Sequence, residues 1–415
     1  MQKTELLSPA GSFVNLRAAI DAGTDGVYFG LQELNMRSVA AHNFTLKDLP
    51  KITALCKNNK IKSYLTVNSL IYDQDLPLAQ KLCDEAKKHG IDAVIASDTA
   101  ILEYLKKIKL SAHISTQMNV GNIEAVRFFS RYADTIVLAR ELTLEQISSI
   151  TQAIKKEQIK GPDGQLVKIE IFIHGALCVA ISGKCYMSLA LYNQSANRGK
   201  CQQPCRRKYK IIDEVTKKEL VIDNQYVMSP KDLCTISVLD KIIQSGASVL
   251  KIEGRARSPE YVWQVTRSYK EALESLKEDQ KDNNTYTPEK IKTWQEELKS
   301  VYNRGFWEGG YYLGEKLGEW SNSSGSKATY KRTYLGKAIK YFAKLKVAEF
   351  LLETGSLKIG NEVYITGPTT GLLKLKVSSL HTSGPVKLAI KGEKAALLVG
   401  HKVRRNDQLY LIEKN

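Results

Sequence analysis

The chain has 415 residues, 43% of them apolar and 25% charged, a globular composition long enough for two domains or for one large domain with an appendage. The formal net charge of +17 points to a polyanionic partner: RNA, DNA or an anionic membrane surface. No run approaches the roughly 20 apolar residues of a membrane span. The opening MQKTELLSPAGS lacks an export-signal core, and seven cysteines is an odd number, so a cytoplasmic protein without structural disulfides or membrane association is expected.

From residue 5 onward, short apolar runs alternate with amphipathic stretches. Strands are predicted at ELLSPAG, GVYFG, IKSYLTVN, DAVIAS, AHISTQMN, DTIVLAR, KIEIFIHGA and SVLKIEGR. Between them SFVNLRAAIDAG, LKDLPKITALCKNN, LPLAQKLCDEAKKHG, TAILEYLKKIK, NIEAVRFFSRYA, LTLEQISSITQAIKK and CTISVLDKIIQSGA repeat apolar residues at helical spacing. Helix ends are predicted at Ala22-Gly23, Asn58-Asn59 and His89-Gly90. Eight β units alternating with α units over residues 1–256 predict a parallel sheet. The count suits a closed, TIM-like (β/α)8 barrel better than an open doubly wound sheet, and no GxGxxG follows the first strand.

A barrel places its chemistry at the C-terminal ends of its strands. The polar residues there are Ser8 and Asn35, Asn68, Ser97 and Asp98, Gln117 and Asn119, Arg140 and Glu141, His174, then Lys251, Glu253 and Arg255. Arg140, Lys251 and Arg255 are candidates for phosphate or carboxylate contacts. Glu253 is a candidate acid, base or orienting group. His174 could serve a nearby thiol or sit in the core. For the cations and Glu253 the alternative is a salt bridge inside the barrel.

The seventh strand leads into a cysteine-rich insertion, residues 174–234. Six residues separate Cys178 from Cys185, fifteen separate Cys185 from Cys201, and three separate Cys201 from Cys205. Four sulfur ligands suit tetrahedral zinc or an iron–sulfur cluster. Only one spacing is short, which fits a cluster better than paired zinc knuckles. Lys200, Arg206, Arg207 and Lys208 flank the set and are expected to lower thiol pKa values. Cys234 is an alternative fourth ligand, in place of Cys205. Cys56 and Cys83 sit within helices as buried small hydrophobes.

Residues 257–320 read as a helical extension with two charged helices, and EWSNSSGSKATYKR reads as a linker. Residues 332–415 read as a small antiparallel β-barrel. From residue 331 there are 16 Lys and Arg against 6 Asp and Glu, so the tail carries +10 of the +17. Localised charge of this kind is expected of a nucleic-acid-binding face.

FIHGALCVAISGKCYMS resembles the signature of the U-32, collagenase-like peptidase family. NRGKCQQPCRRKY, MSPKDLC, LKIEGRARSPEYV, ELLSPAGSFVNLRAAIDAGTDGVYFG and LTVNSLIYDQDL look like further blocks of that family. Despite the name, the resemblance implies oxygen insertion. One branch hydroxylates the tRNA wobble uridine to 5-hydroxyuridine, another a cytidine of ribosomal RNA, and a third acts in ubiquinone synthesis. The GALC, GKC, GKC, QPC pattern looks most like the tRNA branch. The resemblance implies a 4Fe–4S cluster on Cys178, Cys185, Cys201 and Cys205, prephenate as a source of oxygen, and tRNA as partner. The competing expectations are a true peptidase, though no HExxH, GxSxG or triad is present, and a zinc-clipped RNA-binding protein.

Overall fold

A computed structural model describes residues 4–39, 43–220, 224–279, 285–314, 319–323 and 325–415. Strands β1 (Glu5–Ala10), β2 (Gly26–Gly30), β3 (Lys62–Val67), β4 (Ala93–Ala96), β5 (Ala112–Ile114), β6 (Thr135–Val137) and β7 (Lys168–Gly175) pair side by side in chain order, all parallel. The chain then forms a hairpin, β8 (Ile211–Ile212) with β9 (Glu219–Leu220), and a short strand, β10 (Asp232–Cys234). The next strand, β11 (Val249–Ile252), is bonded in parallel to both β1 and β7 and closes the eight-stranded barrel.

Helices α1 (Phe13–Asp21), α2 (Leu49–Asn58), α3 (Leu76–His89), α4 (Thr99–Ile108), α5 (Ile123–Phe129) and α6 (Leu144–Glu157) follow β1 to β6. Short α7 (Met187–Tyr192) lies in the cysteine insertion. Helix α8 (Leu239–Gln244) precedes β11 and α9 (Pro259–Asp279) follows it. Local chemistry sets the helix ends. Ser12, Asn122 and Thr143 accept from backbone N–H groups in the first turns of α1, α5 and α6. Gly90 ends α3 in the left-handed conformation, as predicted. At the end of α2 it is Lys60, not Asn59, that takes positive φ.

Side-chain alternation divides the barrel into two apolar layers. Leu6, Val27, Phe29, Leu65, Val94, Ile114, Ile171 and Leu250 face the helices in the main core. Leu7, Tyr28, Tyr64, Ala93, Ile95 and Val249 form a smaller cluster inside the ring. The interior also holds the buried charged and polar groups His113, Glu170 and Lys251.

One side of the barrel mouth is built up. Strand β7 continues past the ring and pairs antiparallel with β10, matching His174 to Cys234. After α10 (Pro288–Ser300), β12 (Phe306–Glu308) adds alongside β10. Cys234 therefore lies on a strand, not at the start of a helix. The extension expected to be helical contributes this sheet edge as well.

The C-terminal region comprises β13 (Tyr330–Phe342), β14 (Val347–Leu352), β15 (Ser356–Lys358), β16 (Glu362–Gly367), β17 (Gly371–Lys376), β18 (Leu388–Ile390), β19 (Lys394–Leu398) and β20 (Gln408–Lys414). Six of these form an antiparallel sheet in the order β17-β16-β20-β13-β14-β19, and β15 pairs with β18. Both sheets share one core, which includes Leu335, Phe350, Leu357, Ile365, Ala389 and Leu409. The region docks on α1. A Cβ at Gly371 would lie 2.5 Å from Arg17 Cγ and 2.8 Å from Asp21 Oδ2, so the glycine permits the contact. Among the described residues no helix is long and apolar enough to cross a membrane.

Because the two regions have separate cores, Phe350→Ala should cost about 3–5 kcal/mol and lower one calorimetric transition while leaving the barrel transition in place. Differential scanning calorimetry of wild type and variant checks this; a single transition moving as a whole would show that the cores unfold as one.

A candidate active site beneath the cysteine loop

The strand ends converge on a cavity of about 480 Å³ at the barrel mouth. Tyr28, Ile95, Phe172 and Lys251 rise into it from the strands. Arg37, Asn68, Gln117, Arg140, Glu141, Glu253 and Arg255 come from the connections, and Leu177 to Ile181, with Cys178 among them, from the cysteine loop. Trp307 and Tyr311 arrive from β12 and the turn after it. The volume suits a small molecule or an extruded base.

Among the described residues four cations line this space. Lys251 donates to Glu170 Oε1 at 2.6 Å, and Glu170 Oε2 lies 3.2 Å from His113 Nδ1. Burial opposes ionisation of Glu170, but Lys251 and His113 outweigh it and hold the carboxyl down at about 2. Lys251 also lies over the rings of Tyr28 and Phe172. Arg37 pairs with Glu253 at 3.0 Å, and Tyr28 donates to the same carboxylate at 3.3 Å. Burial raises the Glu253 pKa less than Arg37, Arg255 and Arg140 lower it, so this carboxyl also sits at about 2. A carboxylate held this low orients cations; it does not exchange protons near neutral pH.

Arg255 donates to Thr66 Oγ1 at 2.8 Å, and burial brings its guanidinium down to about 10. Its place depends on Gly30, where a Cβ would stand 2.3 Å from Arg255 Nη1 and 2.8 Å from Asn35 Cγ. Arg140 spans the face of Phe172, 4.6 Å from the ring centre, and donates from Nη1 to the Ala176 carbonyl. Its Nε and Nη2 are buried without a hydrogen-bond partner among the described residues, donors left over for an anion.

His174 is placed elsewhere. The β7–β11 register passes from Phe172 to His174, skipping Ile173. That irregularity breaks the inside–outside alternation, and His174 turns toward α9. It packs among Tyr261, Tyr269 and Phe306, and burial pushes its pKa down to about 3, so the ring is neutral. Ser8 bonds Thr266 and Thr24 on the outer side of the barrel, Asp98 caps α4, and Asn35 donates to the Leu31 carbonyl. The loop residue Arg37 and the aromatics Trp307 and Tyr311 complete the site without a strand-end signal. For Arg37 the available clue was the length of the connection from residue 31 to 48.

The insertion is fastened over the cavity at several points. Buried Arg206 donates to the Leu177 carbonyl, to Ser229 Oγ at 2.9 Å and to the Pro230 carbonyl at 2.6 Å. Arg198 pairs bidentately with Asp75 and lies 4.0 Å above Tyr72, and the Leu70 N–H donates to the Asn197 carbonyl. The Cys185 N–H donates to Asn197 Oδ1.

All seven cysteines are free thiols. Cys178 is exposed, while Cys185, Cys201 and Cys205 are half-buried. Burial pushes Cys205 up to about 11. Arg206 lowers it, and the charges of Cys178, Cys201 and Cys185 raise it. The lowering expected from flanking cations is thus outweighed at Cys205. Cys234 is buried on β10, and burial pushes its thiol up to about 12; the charges acting on it are Glu308 and Lys299. Among the described residues no three His, Cys, Asp or Glu side chains are close enough to share one metal ion. Zinc at about 2.3 Å from each sulfur requires sulfurs roughly 3.8 Å apart. A four-iron cluster binds each thiolate through a different iron and so tolerates a wider set. The donor chemistry of Cys178, Cys185, Cys201 and Cys205 fits such a group, with Arg206 beside it to balance charge.

Glu170→Gln leaves Lys251 without its carboxylate inside the barrel and should cost about 3–5 kcal/mol at neutral pH. In the wild type the depressed carboxyls contribute stability that is complete above the unfolded value, about 4.3, and is lost as pH falls toward 2. The variant lacks the Glu170 share, so its stability should fall less steeply across that window. Denaturant unfolding at a series of pH values checks both expectations.

Residues 11–322 match the family model described as Peptidase family U32. A protein named collagenase from Porphyromonas gingivalis is 51% identical over 411 residues, covering 99% of this chain and 98% of that one. The tRNA hydroxylation protein P1 of Bacillus subtilis is 31% identical over 382 residues, 88% of this chain and 84% of its own. A 23S rRNA 5-hydroxycytidine synthase of Escherichia coli is 37% identical over 281 residues, 68% of this chain and 41% of its own. Identity is higher to the collagenase-named relative than to either RNA-hydroxylation protein, yet the alignments with all three span most of this chain. On this evidence the chain belongs to peptidase family U32.

Proposed function

We infer that the protein is an RNA hydroxylase, acting on a tRNA wobble uridine to give 5-hydroxyuridine, with a 4Fe–4S cluster held by Cys178, Cys185, Cys201 and Cys205. The observation that carries this reading is a juxtaposition. Cys178 belongs to the four-thiol set and also lines the cationic cavity at the barrel mouth. Relatives named for tRNA and rRNA hydroxylation support the reaction class. The net charge of +17 supports an RNA substrate.

The cluster, when bound, supplies electron transfer next to the cavity. The residues of the chain do the rest. We assign Arg140, whose Nε and Nη2 have no hydrogen-bond partner among the described residues, and Arg255 to bind the carboxylates of a small oxygen donor, for which prephenate is our candidate. Lys251, fixed by its contact with Glu170, adds a third basic group. Glu253 fixes Arg37 at the rim. A target base must leave its stack to enter, which is cheapest in a single-stranded loop, and Tyr28, Phe172, Trp307 and Tyr311 offer it aromatic walls.

Proteolysis is the alternative reading, favoured by the names of relatives such as the 51%-identical one. It requires a base on a nucleophile. His174, the imidazole nearest Cys178 in sequence, is enclosed by Tyr261, Tyr269 and Phe306.

Anaerobic purification with iron and sulfide assay, on wild type and Cys201→Ala, separates the two readings. We expect brown wild-type protein with about four irons per chain, a colourless variant, and 5-hydroxyuridine formed in tRNA only with the former. Metal-free wild type that cleaves gelatin, with unmodified tRNA, would replace the hydroxylase by the peptidase.

A further inference from the structure

A second cavity, of about 670 Å³, lies between the barrel and the C-terminal sheet. Its walls are the start of α9 (Ser258, Glu260), the end of α10 with Tyr302, and the first residues of β13. Among the described residues three cations line it: Lys327, Lys331 and Arg332. Three tyrosines join them: Tyr302, Tyr330 and Tyr364. Arg332 is committed to Glu260 at 3.0 Å and lies 4.4 Å above Tyr410. Lys327 and Lys331 are exposed. Tyr302 is stacked under Arg257 at 3.6 Å, with Arg304 5.1 Å from the same ring.

The groove is preformed. The Lys327 N–H donates to the Asn303 carbonyl, and the Thr329 N–H to the Lys299 carbonyl, fixing the connecting segment to the end of α10. A short stretch of chain links the groove to the mouth. Arg255 lines the first cavity and Ser258 the second, and three residues of chain reach at most about 11 Å. Cations following a track, interleaved with aromatic faces, are what binds a single-stranded nucleic acid without sequence preference. The surrounding C-terminal region carries a strong positive excess, which complements a phosphate backbone and not an apolar partner.

We propose that this interdomain groove, with Lys327, Lys331 and Tyr330 at its surface, binds the single-stranded RNA segment flanking the nucleotide that enters the barrel mouth. This rests on the reading of the protein as an RNA-modifying enzyme and extends it to the way the substrate is held.

The test is fluorescence anisotropy with the full-length protein, using a labelled tRNA transcript and a short labelled oligouridylate, over a range of salt concentrations. Lys327→Glu/Lys331→Glu should weaken binding at least tenfold at low salt and flatten the log–log salt slope by about 0.7 for each lost phosphate contact. Tyr330→Ala should weaken binding roughly tenfold with the slope unchanged, as lost stacking does. The control Lys391→Glu/Lys402→Glu removes equal charge outside the groove and should have a smaller effect. Equal weakening by both double variants, or wild-type affinity in the groove variant, would overturn the proposal. Tighter binding of a polyglutamate peptide than of RNA would overturn it in favour of an acidic protein partner. Wild type that binds neither RNA would remove the groove and the RNA-enzyme reading together. Groove-dependent binding without any tRNA hydroxylation would leave the groove standing and remove the hydroxylase.

Discussion

Lys251 and Glu170 meet inside the barrel across the seam where its last strand closes the ring. Most of what is distinctive about the mouth depends on that contact. β11 is bonded on both sides, so Lys251 is delivered to a fixed height, and the next residues, Glu253 and Arg255, follow directly onto the rim. Glu170 and His113 add polar groups to an interior that small barrels ordinarily fill with branched apolar side chains. Attraction within the barrel offsets the cost of desolvating the two charges. The result is a cation presented to the cavity from below.

The rim repeats this logic with longer side chains. Glu253 is not a lone acid. It is the counter-charge that aligns Arg37, with Arg255 and Arg140 acting on it from farther away. A cavity with more cations than carboxylates favours anionic ligands before any specific contact forms. The tethered insertion brings one of its four thiols, Cys178, into the lining of this cavity beside the anion-binding groups. Sequence distance conceals this arrangement, because the contributors run from Tyr28 to Tyr311.

Much of the barrel was legible because its signals are periodic. The eight strand runs, their helices and the glycine after α3 follow from spacing and capping rules. Lys251, Glu253 and Arg255 were singled out by inspecting the end of a barrel strand, and all three line the cavity. Arg37 escaped because it sits in an irregular connection with no period. Trp307 and Tyr311 escaped because β12 has three residues, too few for alternation to register. His174 shows the limit of the strand-end rule. Its position was read correctly, but a skipped residue at Ile173 turns its side chain to the other face, and no composition rule announces a bulge. The charge of the C-terminal region was plain, whereas the groove it forms with α9 and α10 required the packing of the two regions to be known.

The Arg206 guanidinium joins the carbonyl just before Cys178 to the residues just before β10, so with the β7–β10 pairing it closes the base of the insertion. Within the insertion the β8–β9 hairpin is exposed and makes its own pairings. Extra residues at the hairpin tip would lengthen the insertion at only a small entropic increment and leave its closure untouched. A residue added between Cys201 and Cys205 would instead rotate one thiol away from its neighbours. The insertion therefore has an exposed hairpin whose length is decoupled from the base that Arg206 fastens.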